Sequence, residues 1–417
     1  MSQGQGFEDI AAGARELRVE IRKGDILARA GEGERWSFQW SSDGGERPHV
    51  EREGDVVRVR QRPSGFLPAG LDLKRVDVRF SLPASLEIVE LRTGMGRVDA
   101  EGLGGRSILI TGNGALSLRA SQGEANLTTG NGEMSIEDFS GSLTASTGNG
   151  RVRVNRLGGN LSLNTGNGPM EVLDAEGRVR ASTGNGDLRL LGVAGEVELN
   201  TGHGRVEIGA PRSLAVQANT AMGGIRVDGG SVRSLRANTM VGDIECSALL
   251  EPGTYELSSG MGAVGVQLAP HVPARVDAQT GFGQVDSDFP LVRVGRSGPM
   301  GFGGVRMVGS IGEGEPRVEV SMRSGKGAIR IRRTHAAPAA AASAAVASEW
   351  RAAPRVPEPP RPSHGFPTPR QVPHMTHVAE DPGSETDADS TLAVLEAVAR
   401  GEISPEEADE MLRQVGT

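Results

Sequence analysis

The chain has 417 residues and a formal net charge of -8, with 45 lysines and arginines against 53 aspartates and glutamates. That balance excludes a general nucleic-acid binder, which needs surplus cations to displace phosphate counterions. Sixty-one glycines beside 3% aromatic residues argue against one large aromatic core and for many turns joining short strands.

Residues 1–14 read as a flexible N-terminus, lacking the basic start and apolar stretch of a signal peptide. No apolar run reaches the ~20 residues that cross a bilayer. No transmembrane segment and a cytoplasmic location are therefore expected. Across 15–92 the runs Leu17 to Ile21, Asp25 to Ala28, Trp36 to Trp40, Val56 to Arg60, Val76 to Phe80 and Leu86 to Leu91 look like strands without a common period. They predict an irregular β cap or early coils, with Trp36 and Trp40 available to cover an open sheet edge.

Residues 93–333 are periodic. Thr-Gly-x-Gly begins at Thr93, Thr111, Thr129, Thr147, Thr165, Thr183 and Thr201, always 18 residues apart. Degenerate copies follow at Thr220, Thr239, Ser259, Thr280, Met300 and Ser324, spaced 19, 19, 20, 21, 20 and 24. Such periodicity marks a solenoid, here of thirteen predicted turns and about 60 Å in length. Within each repeat apolar residues alternate, as at Met134 and Ile136 or Leu143 and Ala145, so each coil supplies two inward-facing strands. Glycines at the corners supply positive φ. Asn113, Asn131, Asn149, Asn167 and Asn185 lie between them, where asparagine tolerates the left-handed region and stacked amides form a structural ladder. Outward columns such as Arg153, Glu171, Arg189, Glu207 mostly alternate in sign, which favours this register. The lone Cys246 falls on an inward-reading strand and predicts a buried structural thiol.

Residues 334–388, rich in alanine and proline, predict a disordered linker. Its histidines His364, His374 and His377 lack the further ligands of a metal site. Residues 389–417 predict a helical hairpin: Leu392, Leu395 and Val398 at helical spacing, a stop at Gly401, then Ile403 and the capping sequence Ser404-Pro405-Glu406-Glu407 before Met411, Leu412 and Val415. So short a hairpin buries too little surface to stand alone and should dock on a protein partner or on another copy.

The fold class is thus all-β, a parallel β-helix or β-solenoid of ~18-residue coils with a disordered linker and a small C-terminal α-hairpin. The Thr-Gly-Asn-Gly coils, Lys23-Gly24-Asp25-Ile26 and Phe80-Ser81-Leu82-Pro83 resemble the bacterial "putative adhesin" domain family over roughly 15–333. The tail from Leu395 to Ala408 resembles the short helical modules called SHOCT-like. The resemblance implies a right-handed β-helix, with some members tied to cell-envelope stress responses, and implies no reaction.

No catalytic, metal or cofactor constellation emerges. Gly260-Met261-Gly262-Ala263-Val264-Gly265 lies on the repeat register with no helix after it, and Gly325-Lys326 precedes Gly327 instead of Ser or Thr. The expected function is a non-catalytic scaffold or binding protein working through residues 389–417. The alternatives are an envelope-stress module that binds lipid, peptide or glycan with peripheral envelope association, and a solenoid enzyme acting on polysaccharide.

Overall fold

The period-two alternation of the sequence becomes a stack of coils in the computed structural model, which describes residues 2–5, 13–31, 36–43, 47–61, 74–294 and 304–334. The chain divides into two units, Met1–Pro354 and Arg355–Thr417, and every described residue belongs to the first. The expected hairpin, with Leu392, Leu395, Val398, Ile403, Met411, Leu412 and Val415, lies outside the described residues, as do nearly all of the expected linker and Met300. Among the described residues all regular structure is β, and no helix is long and apolar enough to cross a membrane.

The central coils are the most regular. The strand Met134–Asn149 pairs in parallel with Val152–Asn167 along its whole length, setting Met134 against Val152, Leu143 against Leu161 and Asn149 against Asn167. The same offset of one repeat recurs on either side. Each inward side chain therefore rests on its counterpart one coil away. One such column runs Leu116, Met134, Val152, Met170, Leu188, Val206, Ile225, Ile244 and Val264, every member buried. Burying a side chain of this size contributes about 1.5–3 kcal/mol before conformational entropy is subtracted. Cys246 extends a neighbouring inward column and is buried as expected, its thiol pushed up to about 12 by desolvation.

The second bend keeps the expected glycine corner and, in four coils, adds a second left-handed residue to it. Gly141 and Gly159 take positive φ, and three residues earlier stand Ala120, Asp138, Arg156 and Asp174, all left-handed at φ of 47–55°. A non-glycine residue there costs roughly 1–2 kcal/mol, a strain that the continuous pairing on either side holds in place.

Both ends of the stack break sequence order, which corrects the expectation of thirteen consecutive turns. Near the C-terminal end, Val318–Lys326 pairs in parallel with Gly253–Met261 on one side and with Ala274–Phe282 on the other. Ile329–Arg333 likewise lies between Val264–Leu268 and Val285–Ser287. The Ser324 coil is thus spliced between the Ser259 and Thr280 coils. Val305–Ile311, just beyond the Met300 position, runs antiparallel to Ala274–Phe282 and forms no further turn of the stack. The other end does the same: Glu16–Lys23 sits between Val56–Arg60 and Ile88–Met95, and Ile26–Gly31 between Val76–Pro83 and Val98–Glu101. There Ser37–Ser42 runs antiparallel to Val76–Pro83 and stacks Phe38 on Phe80 with ring centroids 4.9 Å apart. A reversed strand thus covers the last parallel strand at each end.

Candidate functional site: the corner edge

One edge of the stack is built from the Thr-Gly-x-Gly corners. The threonine points inward, the first glycine and x project outward, and the second glycine returns the chain. That glycine is fixed by closeness. A Cβ built on Gly150 would stand 1.9 Å from the carbonyl oxygen of Gly132 in the adjacent coil, so a side chain has no room. The buried threonine hydroxyl donates to a glycine carbonyl of that coil: Thr111 to Gly96 at 3.0 Å, Thr129 to Gly114 at 3.1 Å, Thr201 to Gly186 at 3.1 Å.

This column loosens in the middle. Thr147 reaches Gly132 only at 3.5 Å, Thr183 reaches Gly168 at 3.4 Å, and Thr165 Oγ1 between them is buried with no partner. An open groove of about 640 Å³ lies over the same coils, lined by Thr128, Ser146, Asn164 and Ser182 with the corner threonines.

The x column changes chemistry along the rod. Asn131 donates its side-chain amide to Asn113 Oδ1 at 2.9 Å, Asn149 to Asn131 at 2.8 Å, Asn167 to Asn149 at 2.9 Å and Asn185 to Asn167 at 2.8 Å. His203 then follows in register, and beyond it the same positions hold Met222, Val241 and Met261. Where this ladder stops a second one begins in the adjoining column, Asn219 donating to Asn200 and Asn238 to Asn219 at 3.0 Å each. Sequence reasoning missed it, although Asn-Thr recurs at 200–201, 219–220 and 238–239.

It also missed the apolar continuation, which reads in the sequence only as decay of the motif. Met222 is 48% exposed, Val241 37%, Met261 48%, Phe282 63% and the neighbouring Met240 66%. Lys326 joins this ridge between Met261 and Phe282, an adjacency that the splice creates.

Charges on the flat faces are paired along the axis. Arg153 meets Glu171 at 3.1 Å, Arg178 meets Glu196 at 2.6 Å, Arg189 meets Glu207 at 3.0 Å, Arg226 meets Glu245 at 2.9 Å and Arg236 meets Glu256 at 2.7 Å. Exposed or half-buried, such pairs add about 1 kcal/mol or less each and act mainly on register. Among the described residues no three His, Cys, Asp or Glu side chains are placed to hold a metal ion. Asp99 has Leu27 and Ser117 as its register neighbours, and desolvation holds its carboxyl above the usual aspartate range.

A crystal structure described as a "putative cell adhesion protein" of Clostridium sporogenes ATCC 15579 shares 12% identity over 80% of this chain and 99% of its own, with a TM-score of 0.16, too slight an overlap to carry an argument. No curated protein matches the sequence. The family model described as Toastrack DUF4097 matches residues 151–330, so it is in the coils from the Asn ladder to the spliced end that the chain is similar to a known family.

Proposed function

We propose that the chain is a non-catalytic binding scaffold: a stiff solenoid that presents its corner edge, with residues 389–417 as a helical hairpin that self-associates or recruits a protein partner. The observation that carries this reading is the pairing of face carboxylates with arginines one coil away, from Arg153–Glu171 to Arg236–Glu256. A carboxylate ion-paired in this way serves the register, which favours a structural use of the faces over acid–base or cation-binding chemistry. In this reading the Asn113 to Asn185 ladder is structural, its amides being occupied by one another.

The test removes residues 389–417 and measures mass by light scattering together with the proteins captured from the native cell. A smaller assembly or lost partners supports the reading. Unchanged mass with unchanged partners overturns the role of the hairpin.

A further inference from the structure

The exposed ridge and the spliced coil together point to a ligand surface. Along the corner edge, Met222, Val241, Met261, Lys326 and Phe282 follow one another in register over about 20 Å, with Met240 beside Val241. Other exposed large apolar side chains, such as Met95 and Leu249, lie away from this row, whereas Met222, Val241, Met261 and Phe282 with Met240 form a contiguous one that calls for an occupant.

The charges beside the ridge select one. Several arginines near the ridge are neutralised: Arg226 by Glu245, Arg236 by Glu256, Arg306 by Asp277 and, on the spliced coil itself, Arg332 by Asp286 and Asp288. On the spliced coil, Arg323, Lys326 and Arg330 are exposed and make no ion pair among the described residues. Arg323 lies between Ser258 and Gln279, and Arg330 between Gly265 and an Asp286 whose carboxylate Arg332 already holds. These cations straddle the corner, one before it, one at its tip and one after it. The chain as a whole carries -8, so this cationic surplus is local.

We propose that this edge docks on an anionic lipid bilayer, with Met240, Met261 and Phe282 entering the interface and Arg323, Lys326 and Arg330 meeting the headgroups. Long cationic side chains beside an apolar insertion can keep their charges at headgroup level while their stems lie along it. The ridge is a single row of exposed apolar side chains, which can sink into a fluid surface. A symmetric contact between two copies would bring six unpaired cations together, which disfavours self-association through this edge. The proposal deepens the binding-scaffold reading and rests on it for the absence of chemistry at the edge.

The experiment sediments the full chain with vesicles of phosphatidylcholine alone and of phosphatidylcholine with phosphatidylglycerol. Binding is expected only to the second kind and is expected to fall with added salt. R323Q/K326Q/R330Q should weaken it about a hundredfold and Phe282→Ser about tenfold. Met240→Ser, the most exposed ridge position, gives a second apolar test that leaves the buried columns intact. Equal binding to both vesicles, binding to neither, or binding unmoved by these variants overturns the proposal. So does a fall in mass on Phe282→Ser without lipid binding, which assigns the ridge to a second copy. If the chain lacking residues 389–417 alone loses lipid binding while the ridge variants keep it, the hairpin is the lipid contact and only the ridge assignment falls.

Discussion

Thr165 differs from its neighbours in the corner column by one missing hydrogen bond, and that difference predicts opposite outcomes for one substitution. At Thr111 the hydroxyl donates to Gly96 at 3.0 Å, so Thr111→Val removes a made bond and strands a carbonyl. It should cost about 1 kcal/mol or more. At Thr165 the buried hydroxyl has no partner, and Thr165→Val removes only an unmet desolvation penalty. It should be neutral or stabilise by up to about 1 kcal/mol. Chemical denaturation of the two variants settles the matter, and equal destabilisation would contradict the geometry. The sequence shows the two threonines as identical members of one motif. What separates them is whether the hydroxyl reaches a glycine carbonyl of the adjacent coil, which no residue type encodes locally.

A coil is held by closeness as much as by hydrophobic burial. Gly150, at a corner, and Gly158, beside the second-turn glycine Gly159, lie eight residues apart. Gly150 has φ of +156° and would drive a Cβ to 1.9 Å from Gly132 O, whereas Gly158 has open space around its Cβ. Gly150→Ala should therefore cost about 3 kcal/mol or more. Gly158→Ala should be neutral or stabilise by a few tenths of a kcal/mol up to ~1 kcal/mol by restricting the unfolded chain. Thermal melts of both variants provide the check, and a benign Gly150→Ala would show that the coils separate more easily than the carbonyl contact implies. At this scale the sequence was highly legible: inward columns such as Met134 over Val152 follow from alternation plus a constant period. The left-handed residues were not legible as a column, because aspartate tolerates positive φ at Asp138 and Asp174 while Arg156 and Ala120 in the same column carry no signal for it. Pairing along the whole strand imposes it.

For the whole molecule, the period reveals adjacency only where it is constant. Spacings of 20, 21, 20 and 24 near the C-terminal end leave open which coil abuts which, and the corners at Ser259, Thr280 and Ser324 look alike. The first coil hid for the opposite reason. Ile21-Arg22-Lys23-Gly24 occupies the corner, with Ile21 against Thr93 and Lys23 against Met95, without the motif. The exposed ridge was equally hidden, since Lys326 and Phe282 become neighbours only through the splice. The splice also makes a prediction. A chain ending at residue 317 removes Val318–Arg333 and with it the shared partner of Gly253–Met261 and Ala274–Phe282. Hydrogen exchange should then show protection lost in Ala274–Phe282 as well as weakened in Gly253–Met261. Retained protection of Ala274–Phe282 would mean that this coil closes onto Gly253–Met261 unaided.

Interleaved ends also constrain the order of assembly. An ordinary solenoid can add each coil to the last as the polypeptide leaves the ribosome, since every repeat needs only its predecessor. Here Glu16–Gly31 emerges before both segments that flank it, and Val318–Arg333 must enter a slot bounded by coils already made. The middle of the rod can zip up during synthesis, while its two ends lock late, the C-terminal one only after residue 333 has emerged.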